Sequence, residues 1–211
     1  VTGVQTCALP ICDKLSVTLN VKNFDTGEVL ASGTGKIAVE DLQNKQISYK
    51  PQNYNQVIQD LQALNSNEFV GSGLNVEVST NKGSSNPIYA AGDTMRLYVK
   101  VNRPCYLRFI YYLADGSKVL MMDNTYIDQA KVNKIVELPD EFEIVEPFGA
   151  EILQVNAQTE AFKPLNTKPY YHYKLILDNT EQIVENVRGF KPVSDKGGRD
   201  ETRLTLTTLP Y

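Results

Sequence analysis

Strict alternation opens the readable part of the chain: Leu15, Val17, Leu19 and Val21 are apolar, and Ser16, Thr18, Asn20 and Lys22 between or after them are polar. Successive side chains of a strand point to opposite faces, so this period of two predicts a strand with one buried face. Asp25 and Gly27 supply turn chemistry and Glu28 to Ser32 starts a second strand, which predicts a hairpin. At Asn53 the period changes. Tyr54, Val57, Ile58, Leu61 and Leu64 line one face of a helix that ends near Asn65, with Asn53 as its N-cap. Ser66 to Gly73 is polar and contains glycine, and reads as a linker.

Strand signals then recur at short intervals: Leu74 to Ser79, Met95 to Val101, Cys105 to Leu113, Lys118 to Met122, Val132 to Leu138, Ile152 to Ala157, Tyr170 to Leu177 and Leu204 to Thr208. Asp115-Gly116 between the third and fourth runs is a hairpin turn, because glycine reaches positive φ without steric cost. The third run is apolar on both faces apart from Arg108, which implies a central strand. A short helix is expected from Thr180 to Arg188, with Ile183, Val184 and Val187 as its stripe and Gly189 at its C-terminal cap. Lys196 to Arg199 forms a turn into the last strand.

Many short strands with turns between them predict a mainly β fold, an Ig-like antiparallel β-sandwich with one or two short helices. The early hairpin and helix precede it as the remnant of a truncated α/β domain, since an isolated hairpin is marginal in water. The expected divisions are 1–12 non-native, 13–65 the α/β remnant, 66–73 linker and 74–211 sandwich.

The first eleven residues carry neither period. No Lys or Arg precedes Lys14, so the basic region of a secretion signal is missing. Val1 to Ile11 resembles, residue for residue, the translation of a common DNA-sequencing adapter. That resemblance implies that Cys7 and Cys12 do not count as native thiols and that Cys105 stands alone, as a packed core residue with no disulfide framework. It also implies that this segment makes few contacts and that the hairpin from Leu15 to Ser32 leaves an apolar face or edge uncovered. Burial of Leu9 and Ile11 in a core would contradict it.

Composition narrows the function classes. Of 211 residues, 42% are hydrophobic and 22% charged, as in ordinary globular chains, which excludes disorder. A net charge of −4 argues against a nucleic-acid binder. No apolar run approaches the roughly 20 residues of a membrane-spanning helix.

Catalytic chemistry finds little support. The single histidine, His172, lies between Tyr171 and Tyr173 and lacks any nucleophile motif to serve. One histidine and one dependable cysteine cannot build a zinc site. Glu137, Asp140, Glu141, Glu143 and Glu146 crowd between two strands without the spacing of a calcium loop, and read as solvated loop charges. No phosphate-cradling glycine loop occurs. Tyrosine stands out, with twelve copies and no tryptophan. Tyr106, Tyr111 and Tyr112 share one strand, and Tyr170, Tyr171 and Tyr173 another. Tyr112, Tyr171 and Tyr173 are candidate ligand-binding residues on a sugar or peptide platform. Packing of the sandwich and its rim is the more economical reading, because alternation sends part of each cluster inward.

The order of four motifs resembles a bacterial family of uncharacterised domains. They are Tyr89-Ala90-Ala91-Gly92-Asp93, Tyr106 to Ser117, Pro147-Phe148-Gly149-Ala150-Glu151 and Arg188-Gly189-Phe190. Asp123-Asn124 departs from the Pro-Asn common in relatives. Such domains occur at the C-terminal end of exported or envelope-associated proteins, sometimes beside caspase-like peptidase or kinase modules. Residues 25–32 resemble the last hairpin of periplasmic assembly lipoproteins of the flagellar and curli-secretion type. The resemblances imply a non-enzymatic accessory or protein-interaction module, periplasmic or outer-membrane associated, with protein partners in the envelope, no cofactor and no metal. Alternatives are a carbohydrate- or peptide-binding module using exposed tyrosines, and a regulatory domain of a larger exported peptidase or kinase.

Overall fold

The computed structural model describes residues 2–5, 14–22, 29–45, 51, 53–65, 73–180, 182–183 and 198–210. Cys7, Leu9, Ile11 and Cys12, the turn around Asp25 and Gly27, most of the expected linker and most of the expected helix after Gln182 lie outside them. The chain divides into two compact units, Val1–Pro51 and Gln52–Tyr211.

In the first unit β1 (Thr2–Gln5), β2 (Lys14–Lys22) and β3 (Val29–Ala38) form an antiparallel sheet in that order, followed by the short helix α1 (Val39–Asn44). The expected hairpin is β2 and β3, with Lys14 opposite Ala38. Thr2–Gln5 does not stay apart, as the N-terminal reading expected. It pairs with β2 from Thr2 opposite Val21 to Gln5 opposite Thr18. The physical reason is that an open strand edge offers unpaired N–H and C=O groups to any extended segment, whatever its side chains. Leu30 and Ile37 on β3 are exposed.

The second unit begins with α2 (Tyr54–Asn65) and continues through β4 (Val76–Thr80), β5 (Ile88–Ala90), β6 (Thr94–Val101), β7 (Cys105–Tyr112), β8 (Lys118–Ile127), β9 (Val136–Glu143), β10 (Ala150–Gln158), β11 (Thr167–Tyr170), β12 (Tyr173–Ile176) and β13 (Arg199–Leu209). Seven strands form one sheet in the order β11-β12-β8-β7-β10-β13-β5, and three form another, β4-β6-β9. Every pairing is antiparallel except β13 with β5. The result is a β-sandwich. Its core lies between the sheets: Val76, Val78, Leu97, Val99, Leu138 and Phe142 from the smaller face Leu107, Phe109, Leu153, Val155, Leu204 and Leu206 from the larger. Cys105 is buried here too.

A second apolar layer covers the other face of the seven-stranded sheet. Val57, Leu61 and Leu64 of α2 pack on Ile110, Tyr112, Leu120 and Ile152, with Leu165, Ile176 and Ile183. Burial of each such side chain stabilises by about 1.5–3 kcal/mol. The helix therefore belongs with the sandwich, whereas the sequence reading placed it with the upstream hairpin. Asn53 fastens it, although not as an N-cap alone: its Nδ2 donates to the Ala150 carbonyl at 2.6 Å and its Oδ1 accepts from Ala150 N–H at 3.1 Å.

β5 has no counterpart among the expected runs, β8 and β13 are longer than expected, and two further runs differ in position. The fifth run, expected at Val132 to Leu138, begins only at Val136, because Asp128 caps a 3₁₀ turn at Gln129–Lys131 and Asn133 adopts φ +60°. It then runs through Pro139, which an edge strand tolerates. Glu137, Asp140, Glu141 and Glu143, expected in a loop, thus sit along β9, where Glu141 pairs with Arg96 at 2.7 Å on the exposed side, while Glu146 follows in the bend before β10. The aromatic run from Tyr170 is not one strand but a tight hairpin, β11 to β12, with Tyr170 opposite Tyr173.

Candidate functional site

The hairpin turn is made by two residues, Tyr171 and His172, both exposed. Tyr171 holds φ +50°, a left-handed conformation costly for a bulky residue, and 88% of its surface is exposed. Its ring meets that of Tyr170 edge-on, centroids 5.0 Å apart. Lys168 and Lys174, also exposed, flank this aromatic tip on the two strands. Rings held in solvent on this turn gain nothing from the core, which makes the tip an exposed aromatic surface.

The other two candidate tyrosines are not there. Tyr112 is buried: with Ile110 it packs on the α2 side of β7, and its hydroxyl donates to Gln154 Oε1 at 2.8 Å. Burial raises its phenol far above the ordinary range. Tyr112 is therefore a packing residue, which corrects its assignment as an exposed ligand contact. Tyr173 is half-buried on the opposite face of the sheet, against the sandwich core, with its ring 6.1 Å from that of Phe142. Burial, and then Asp140, raise its phenol. No common platform holds all three. Tyr106 and Tyr126 form a further partly exposed ring pair at 4.9 Å.

Polar groups inside the sheet were not foreseen. Arg108, 2% exposed, pairs with Asp123 at 2.7 Å, donates to the Lys163 carbonyl at 2.6 Å and lies under the Phe162 ring. Glu151 faces the sandwich core, accepting from the Tyr111 hydroxyl at 2.8 Å and from Ala114 N–H at 3.3 Å. Burial pushes its carboxyl up to about 7, against those hydrogen bonds. A carboxyl near neutrality is chemically capable of proton transfer. Yet Tyr111 and Ala114 belong to the β7–β8 hairpin and its further partner Thr208 to β13, so its contacts tie neighbouring strands together. Asn156 lies beside Arg108 and Glu201 in register, and its buried amide makes no hydrogen bond to a described residue. Among the described residues no group of three or more His, Cys, Asp or Glu could hold a metal. No described helix is long and apolar enough to cross a membrane.

The geometry defines a mainly β sandwich whose larger sheet is backed by a helix. Residues 88–161, from β5 to just past β10, match the family described as Domain of unknown function (DUF4384). Three of the four sequence motifs fall inside that stretch, and Arg188-Gly189-Phe190 falls beyond it. No curated protein and no solved structure matches the chain.

Proposed function

We propose that the chain is a non-enzymatic interaction module of the bacterial cell envelope, exported to the periplasm or the outer membrane, and that it binds a protein partner through the Tyr170-Tyr171 hairpin tip. The observation that carries this reading is Tyr171, 88% exposed at φ +50° and ring-paired with Tyr170. The two-residue turn itself requires positive φ but not a bulky ring, and a ring this exposed adds nothing to the core, whereas a partner's apolar surface can cover it. The position of the tip at the edge of the seven-stranded sheet, away from the buried polar groups, favours binding over catalysis.

A photo-crosslinking amino acid at position 171, with the same substitution at the exposed Ile135 as control, tests this in a bacterial host. A discrete crosslink at 171 alone, recovered in the envelope fraction, is the expected result. Equal crosslinking at both positions, or none, removes the reading. Binding on a glycan array that disappears in Tyr171→Gly would replace the protein partner with a carbohydrate.

A further inference from the structure

The β11–β12 hairpin differs in charge from the rest of the chain. Residues 161–177 contain Lys163, Lys168 and Lys174 and not one Asp or Glu, in a protein with 25 acidic and 21 basic residues. Lys168 and Lys174 are exposed, and among the described residues neither enters an ion pair. Beyond burial, Asp140 of β9 acts on the Tyr173 phenol from the other sheet, yet it is paired with neither lysine.

Register places the two lysines on opposite faces of the ribbon. Lys168 stands opposite Leu175, and Lys174 opposite Pro169. Successive side chains alternate, so Lys168 shares a face with Tyr170 and with Tyr173, which packs against the sandwich core, while Lys174 shares a face with Ile176 on the α2 side. The Tyr170-Tyr171 ring pair thus ends a ribbon that carries one ammonium group on each face.

Backbone alternation limits how a partner meets this ribbon. Leu177 N–H bonds the Asn166 carbonyl at 2.9 Å, so Asn166, Lys168 and Tyr170 turn their backbone groups to β12, and Thr167 and Pro169 turn theirs outward. Proline has no N–H, which leaves Thr167 as the one outward donor of β11, the edge strand of its sheet. An added strand needs a row of donors, so docking falls to side chains.

We propose that the hairpin tip seats in an apolar hollow of a partner protein whose rim carries carboxylates on two opposite sides, one for Lys168 and one for Lys174, with no strand added to β11. Charge pairs at the rim of an interface set encounter and choice of partner, while aromatic rings fill its desolvated centre. Lysines on opposite faces match the two walls of a hollow better than the single plane of a membrane. The net charge of −4 repels a partner that is acidic throughout, so the carboxylates belong at the footprint of the tip. The proposal rests on the hairpin-tip reading and adds the chemistry of the partner.

Photo-crosslinking from position 171 of the full chain, in envelope fractions of the host, tests it. Lys168→Glu with Lys174→Glu should lower the yield at least about fivefold, and Lys168→Arg with Lys174→Arg should hold it within about twofold. With both lysines in place, raising salt from about 0.05 to about 0.5 M should lower the yield as well. Thr167→Pro, which removes the last outward donor, should leave it unchanged. Thermal melts show that each variant folds, and the salt series needs no variant of the lysines. A yield indifferent to charge reversal or to salt overturns the acidic hollow and leaves the tip reading standing. Loss of the crosslink in a folded Thr167→Pro variant overturns side-chain docking. No crosslink at 171 with both lysines in place overturns the tip reading and the hollow together. Sedimentation with phosphatidylglycerol vesicles that is lost on charge reversal, with no protein crosslinked, moves the occupant to an anionic membrane and overturns the hollow.

Discussion

The hydroxyl of Tyr111 donates to Glu151 at 2.8 Å inside the sandwich, tying neighbouring strands β7 and β10 through a carboxyl that is 3% exposed. Burial places that carboxyl near 7 instead of its ordinary 4.5. The folded state thus prefers the protonated form, so the stability it contributes is complete below about 4.5 and is lost as pH rises toward 7. The full loss is about 3 kcal/mol. Urea unfolding at pH 5 and pH 8 should show the parent protein weaker at pH 8, and Glu151→Gln should abolish most of that difference.

Arg108 and Asp123 form an asymmetric pair, 2% and 25% exposed. Asp123→Asn leaves a buried guanidinium short of its counter-charge, at a cost of about 3 kcal/mol. Arg108→Met leaves a carboxylate that water can reach, so it costs less despite removing the larger side chain. Chemical denaturation of the two variants should rank them in that order.

Asn53 clamps α2 to Ala150 with two hydrogen bonds, and Asn53→Ala should cost about 2 kcal/mol. Gly149 is part of the same contact, since a Cβ there would stand 2.7 Å from Asn53 Oδ1 and 2.9 Å from Ala114 Cβ. Gly149→Ala must therefore push the clamp aside. Faster amide hydrogen exchange across residues 54–65 in both variants checks this.

Tyr171→Gly removes a side chain from a left-handed position and should raise stability by about 0.5–1 kcal/mol, even though the edge contact with Tyr170 is lost. A higher melting temperature together with a lost crosslinking partner would separate the cost of the turn from its use. An unchanged or lower melting temperature would refute the claim of strain.

Cys105 is fully buried, and burial pushes its thiol up to about 11. Alkylation of the peptide that contains it, followed by mass spectrometry at pH 8, should be slow in native buffer and rapid in denaturant.

Strand existence was legible in the chain because most core strands alternate, and a period of two survives whatever covers the outer face. Burial of the outer face was not legible. Gln154 and Asn156 look like the solvent side of β10, yet all nine residues of that strand are buried, because segments remote in sequence cover both faces. The tyrosine run failed for a different reason. Tyr170 to Tyr173 has strong strand propensity, and nothing in it marks a turn of the kind that Gly116, at φ +84°, marks between β7 and β8. Of the three tyrosines read as a platform, Tyr171 is exposed, Tyr173 half-buried and Tyr112 buried, because alternation alone could not say that Tyr112 faces a helix.

β10 is the strand on which both layers depend, and its partner on one side arrives late. Gln158 pairs with Arg199 and Ala150 with Thr207. A chain leaving the ribosome therefore carries β10 with one edge bare until residue 207 has emerged. The matched stretch from 88 to 161 would stay in that condition permanently if produced alone. Excision at those boundaries should leave a sheet prone to self-association through β10, and a soluble piece is expected to include β13.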